Sequence, residues 1–158
     1  MARSTRTYSC RRSGFAGYRA TPPAPTLHSR RIEQSDVVAI CAPLTRDIEG
    51  MFDRDAFRRM QRHALLINVS RGRIVEEDAL LEALVDGRIG GAGLDVTPVE
   101  PLPPRHPLWT MDNVVITPHT AGGSPERRRR TTELFCQNLR RFLAGEPLLA
   151  VIDKEKGY

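Results

Sequence analysis

Between residues 36 and 143 the hydrophobic period of the chain switches repeatedly, and this alternation restricts its possible folds more than any other feature. Four short apolar runs, "DVVAICA" (36–42), "ALLINVS" (64–70), "GGAGLDV" (90–96) and "NVVITPH" (113–119), read as strands, the first two as strands buried on both faces. Helical patterns separate them. Asp53 can cap a helix with Phe57 and Met60 on one side. "EEDALLEALVDG" places acids in its first turn, Leu80, Leu81, Leu84 and Val85 along one stripe, and Gly87 at its end. Ser124 and Pro125 fill the N-cap and N1 positions of a last helix that ends near Gly145. Its expected buried face carries Leu134, Phe135, Leu139, Phe142 and Leu143. Such an order predicts an α/β fold built on a parallel sheet with right-handed crossovers.

Charge divides the chain. The net charge of +5 suggests a nucleic-acid partner, yet residues 1–31 hold seven arginines and no acid, which leaves 17 basic and 19 acidic residues, a net −2, for the rest. Residues 1–31 are therefore expected to be an irregular basic leader, residues 32–150 the folded domain and 151–158 a tail. The leader also has the composition of an organelle transit peptide, a second reading beside a cytoplasmic protein with a disordered arm. Arginines 127–130 form a solvated helix face in this reading, so no nucleic-acid partner is expected. No apolar stretch approaches the roughly 20 residues of a membrane-spanning helix. The three cysteines, Cys10, Cys41 and Cys136, have neither disulfide nor zinc spacing, and no metal site is expected.

Ligands of parallel α/β sheets bind beyond the carboxyl ends of the strands, which directs attention to Pro43, Ser70, Arg71, Asp95 and His119. Arg71 offers a planar, permanently charged fork suited to a carboxylate, with flexible glycine backbone beside it at Gly72. Asp95 would be costly to bury at a strand end unless it met a donor, either a ligand amide or a nearby backbone N–H. Glu100 lies in the proline-stiffened loop "TPVEPLPP". His119 exchanges a proton near neutrality, and a neighbouring carboxylate would fix its tautomer and favour its charged form. Each residue alone also has a structural explanation; four on one sheet edge make an anion clamp, an amide acceptor, an orienting acid and a proton donor.

"LLINVSRGRIVEEDALLEALVDGRIGGAGLDVTPVEPLPPRHPLW", followed by "NVVITPHTAGGSPE", resembles the NAD-binding domain of the D-isomer-specific 2-hydroxyacid dehydrogenases from about Ser35 to Pro147. The resemblance implies the second half of a Rossmann-like, doubly wound sheet, and NAD or NADP as cofactor. It implies a small 2-hydroxy or 2-keto acid as substrate, of the glyoxylate or hydroxypyruvate kind. By the same resemblance Arg71 binds the substrate carboxylate and keto oxygen, His119 is the acid/base and Glu100 its hydrogen-bonded partner. Asp95 holds the nicotinamide carboxamide, while Pro43, Val69, Ser70, Arg71, His119, Ala121 and Gly122 lie along the cofactor.

Two departures from that family pattern matter. No G-x-G-x-x-G turn for a pyrophosphate occurs in the 158 residues, and no stretch matches the family's substrate domain. If "GFAGYRAT" is a vestige of an earlier strand, Arg19 would favour a 2′-phosphate. With only the last four strands retained, "DVVAICA" is expected to be an uncovered edge through which two copies would pair. A catalytically incompetent piece, or a partner-binding module like the family's corepressors, is the competing functional reading.

Overall fold

The computed structural model describes residues 6–8 and 29–155, so the transit-like composition of the leader and Arg19 fall outside the described residues. The chain divides into two compact units, residues 1–119 and 120–158. The first holds strands β1 (Arg6–Tyr8), β2 (Val37–Ile40), β3 (Leu65–Asn68), β4 (Gly91–Leu94) and β5 (Val114–Ile116). Helices α1 (Ser29–Glu33), α2 (Arg54–Arg59) and α3 (Glu77–Val85) alternate with them, together with 3₁₀ turns at Gly72–Ile74 and Pro107–Thr110. The strands form one parallel sheet in the order β1-β2-β3-β4-β5.

Four of these strands are the four apolar runs, in the α/β order that the sequence predicts. β1 is the unexpected one. It pairs with β2 through Arg6↔Val38, Thr7↔Ala39 and Tyr8↔Ile40, so the leader is not irregular throughout and the β2 edge is not bare. The edge of the sheet on that side is therefore β1.

Strand burial also differs from expectation. Val38, Ile40, Leu66 and Leu94 lie in the core with Ala56 and Phe57 of α2 and Ala79, Leu80, Ala83 and Leu84 of α3. The alternate positions Val37, Ala39 and Ile67 are only half-buried, and Leu65 is exposed. β2 and β3 are thus covered well on one face only. An apolar residue on either face gives the same letter pattern, so the sequence cannot say which face lacks a cover.

Local chemistry explains the helix limits. Asp53 accepts a hydrogen bond from the Ala56 N–H at 2.8 Å and starts α2 as a side-chain cap. Phe57 and Met60 are both buried, as read from their spacing. α3 opens with Glu77 and Asp78 in its first turn, where carboxylates meet the positive end of the helix dipole. It stops before Gly87, whose φ of 58° only glycine adopts without strain. The stripe of α3 is narrower than the leucine pattern suggests: Ala79, Leu80, Ala83 and Leu84 are buried, Leu81 is intermediate and Val85 is 72% exposed. Val85 is the last residue of the helix, one position past the buried row.

The second unit contains α4 (Arg127–Leu143). It begins later than Ser124 and Pro125 imply, with Glu126 at the N-cap; the Ser124 carbonyl accepts from Arg127 N–H at 3.0 Å in the preceding turn. Ala144 and Gly145, the latter at φ 68°, end it where expected. Its proposed buried face is not buried: Phe135, Phe142 and Leu143 are 65%, 71% and 77% exposed, and no α4 residue is buried. A 39-residue unit with one helix has too little surface of its own to cover such a stripe. Asn138 exchanges two hydrogen bonds with the Leu149 backbone, and Arg141 donates from Nε to the Pro147 carbonyl at 2.5 Å, so both tie the helix to the following segment. Among the described residues no helix is long and apolar enough to cross a membrane.

Leu66, with no exposed surface, should be costly to truncate: Leu66→Ala is expected to lose about 2–5 kcal/mol in urea unfolding. Val85→Ala should stay within about 0.5 kcal/mol of the parent, and a larger loss would show that Val85 is packed.

Candidate active site

The parallel register sets Ile40, Asn68, Leu94 and Ile116 in one row across β2 to β5. The residues just past that row therefore share the carboxyl edge of the sheet.

Beyond β3, Ser70 donates its hydroxyl to the Ala42 carbonyl, joining this loop to the segment that carries Pro43 after β2. Val69, Arg71 and Pro43 are exposed there. The Arg71 guanidinium donates through Nη1 to the Ser70 carbonyl at 2.7 Å. Gly72, expected to lend flexibility, does the opposite. It is buried, and a Cβ on it would fall 2.0 Å from the Thr97 carbonyl carbon and 2.3 Å from Pro98 N. Glycine is required because the loop after β3 lies backbone to backbone against the loop after β4.

Beyond β4, Asp95 is 5% exposed and its Oδ1 accepts the Thr117 hydroxyl at 2.5 Å. Thr97 is buried; its hydroxyl donates to the Val99 carbonyl at 2.7 Å and its N–H to Glu100 Oε1 at 3.1 Å. The other Glu100 oxygen, Oε2, lies 2.7 Å from His119 Nδ1. Farther along the same loop His106 Nδ1 accepts the Leu108 N–H at 3.3 Å, so Nε2 carries the proton directed to Glu77 Oε1, 3.2 Å away. The loop that bears Glu100 is thus fastened at both ends.

Beyond β5, the His119 N–H donates to the Thr117 carbonyl at 3.0 Å in a tight turn, and His119 adopts φ 53°. That left-handed backbone is rare outside glycine and costs on the order of 1–3 kcal/mol unless its surroundings impose it. Here it directs the ring at Glu100.

The electrostatics agree with this geometry. The His119 hydrogen bond is the main influence holding the Glu100 carboxyl below the ordinary carboxylate range, against partial desolvation, which acts to raise it. The Thr97 N–H and the charges of His119 and Arg71 add to the lowering. With Nδ1 engaged as donor to a carboxylate, Nε2 is the His119 atom left to exchange a proton.

Glu100 and His119 are thus hydrogen-bonded to each other, Asp95 lies one hydrogen bond from Thr117, two residues before His119, and Arg71 stands on the same sheet edge with its guanidinium on the Ser70 carbonyl. Ala121 and Gly122 lie in the second unit and are exposed. Sequence reasoning missed the residues that hold these groups: Asn68, Thr97 and Thr117. The only available signal for Asn68 was an amide inside an otherwise apolar strand.

The residues fit the nicotinamide end of a dinucleotide better than its diphosphate. A buried carboxylate acceptor at Asp95 suits a carboxamide donor, whereas α3, the longest helix among the described residues of this unit, starts with Glu76, Glu77 and Asp78, which oppose a phosphate.

A family model described as "D-isomer specific 2-hydroxyacid dehydrogenase, NAD binding domain" matches residues 21–121. The glyoxylate reductase of Thermofilum pendens is 45% identical over 124 residues, 78% of this chain and 37% of that protein. The human glyoxylate reductase/hydroxypyruvate reductase is 44% identical over 115 residues, 73% of this chain and 35% of that protein. The chain thus spans little more than a third of these curated relatives. A D-isomer specific 2-hydroxyacid dehydrogenase from Xanthobacter autotrophicus Py2, solved with NADPH and MES, superposes with a TM-score of 0.76 at 41% identity, covering 82% of this chain and 53% of that one. An NADPH-dependent glyoxylate/hydroxypyruvate reductase from Sinorhizobium meliloti, solved with NADP and sulfate, gives 0.75 at 36% identity, covering 82% and 42%.

Two outcomes check the site. Gly72→Ala should destabilise by about 1–3 kcal/mol or more in urea unfolding, because backbone and not a flexible side chain meets the new methyl. Glu100 should titrate below the usual range of about 4.3 by carboxyl NMR, and His119→Gln should bring it back up. Since its folded pKa is depressed, the stability it contributes is present above the unfolded value and lost as pH falls through the folded one.

Proposed function

Since the chain belongs to the D-isomer specific 2-hydroxyacid dehydrogenase family through its NAD binding domain, we propose that it carries the chemical half of an NAD(P)-dependent oxidoreductase acting on a small 2-hydroxy or 2-keto acid. The observation that carries this reading is the 2.7 Å pairing of His119 Nδ1 with Glu100 at the carboxyl edge of the sheet.

Arg71 receives the substrate carboxylate as a bidentate anion and steadies the keto oxygen beside it. His119, protonated at Nε2, donates to that oxygen as it gains charge during reduction, and takes the proton back in the oxidative direction. Glu100 holds Nδ1–H and so fixes the tautomer and orientation of the ring, as a carboxylate does for a catalytic imidazole elsewhere. Asp95, positioned with Thr117, accepts from the carboxamide of a nicotinamide, while Pro43, the backbone from Val69 to Arg71 and His119 border the cofactor. When bound, the nicotinamide supplies or accepts the hydride. The curated relatives and the Sinorhizobium structure are described as reductases of glyoxylate or hydroxypyruvate, which makes those acids the first to assay.

Titration with NADH and NADPH, followed by nicotinamide fluorescence, is the direct test. Saturable binding is expected for at least one of them. Reduction of glyoxylate or hydroxypyruvate should then fall about 10²- to 10⁴-fold in His119→Ala. No cofactor binding at millimolar concentration would overturn the reading in favour of a non-catalytic module.

A further inference from the structure

Asn68 is 1% exposed, occupies the last position of β3 in register with Ile40 and Leu94, and takes no part in the chemistry described above. A carboxamide so deep in an apolar core is costly unless its polar atoms are satisfied. Both are satisfied by the turn that follows. Nδ2 donates to the Arg71 carbonyl at 3.0 Å, and Oδ1 accepts the Ser70 N–H at 3.1 Å. The two bonds engage backbone before and after the Arg71 Cα, so a buried side chain sets the direction in which Arg71 leaves the main chain. On the far side, Gly72 rests against Thr97 and Pro98, and Thr97 N–H holds Glu100. The turn is therefore fixed from the core by Asn68 and from the neighbouring loop by Thr97.

We propose that Asn68 is the positioning residue of the anion clamp: its buried carboxamide, bonded to the Ser70 N–H and the Arg71 carbonyl, fixes the turn from which Arg71 meets a substrate carboxylate. This rests on the reading of Arg71 given above. A simple strand-end cap would satisfy the same polar atoms, but its loss would lower stability without a selective effect on anion binding. The two roles separate in experiment.

The probe is oxalate, a non-reacting dicarboxylate of the size of glyoxylate, titrated into the full chain and followed by the side-chain Nε–H resonance of Arg71. Asn68→Asp keeps an acceptor for the Ser70 N–H but replaces the donor to the Arg71 carbonyl with an oxygen. It should weaken oxalate about tenfold at pH 7 and recover part of that loss near pH 5, where the introduced carboxyl regains a proton to donate. Asn68→Ser, with a single hydroxyl, should also weaken binding and serves where the aspartate variant does not fold. Phe57→Leu, a core change remote from the clamp, should bind within twofold of the parent despite lower stability. Affinity in both Asn68 variants within twofold of the parent, or a loss in Phe57→Leu as large as theirs, would overturn the proposal while leaving Arg71 as clamp. Absence of oxalate binding by the parent, or unchanged binding in Arg71→Lys, would remove the clamp reading and this inference with it.

Discussion

In-register parallel pairing is the constraint on which the rest of the structure depends. Three inter-strand steps of about 4.8 Å carry the row Ile40, Asn68, Leu94 and Ile116 across roughly 14 Å of sheet. The loops that follow begin at nearly the same level. An arginine, an aspartate, a glutamate and a histidine spread over nearly fifty residues of sequence consequently emerge on one edge. Slipping a strand by one residue would turn its side chains to the opposite face and send Asn68 out of the core.

The site is then tightened by contacts between loops and not by the sheet. Gly72 against Thr97 is a contact of main chain with main chain, and the bonds from Thr97 to Glu100 and from Glu100 to His119 continue it across three loops. Fastening of this sort suits an acid/base pair, because proton transfer depends on short, well-aligned hydrogen bonds. His106 and Glu77 close the far end of the Glu100 loop onto α3, which gives that long connection a second point of support.

How much of this was legible in the sequence follows from the range of each interaction. Strand positions could be read because β-branched runs report local preference, and Asp53 because a cap acts within three residues. Arg71, Asp95, Glu100 and His119 stood out only in combination, because each alone has a structural explanation while the four supply complementary chemistry on one sheet edge. Burial was less legible. Leu65 and Leu66 are identical letters with opposite fates, and Val85 reads as core although the helix ends as it leaves the buried row. β1 was missed because three residues in a basic segment carry no apolar signal of their own; the pairing is a property of β2. Asn68, Thr97 and Thr117 escaped notice because each acts on a group whose position only the folded chain defines.

The left-handed backbone at His119 separates fold from chemistry at that position. Asparagine and glycine accept such dihedrals as readily as histidine or more so. Replacement of the imidazole by either would relieve conformational cost while abolishing proton exchange. A descendant carrying either would therefore be sturdier in this turn while lacking the proposed proton donor, a trade open to the chain in a single substitution.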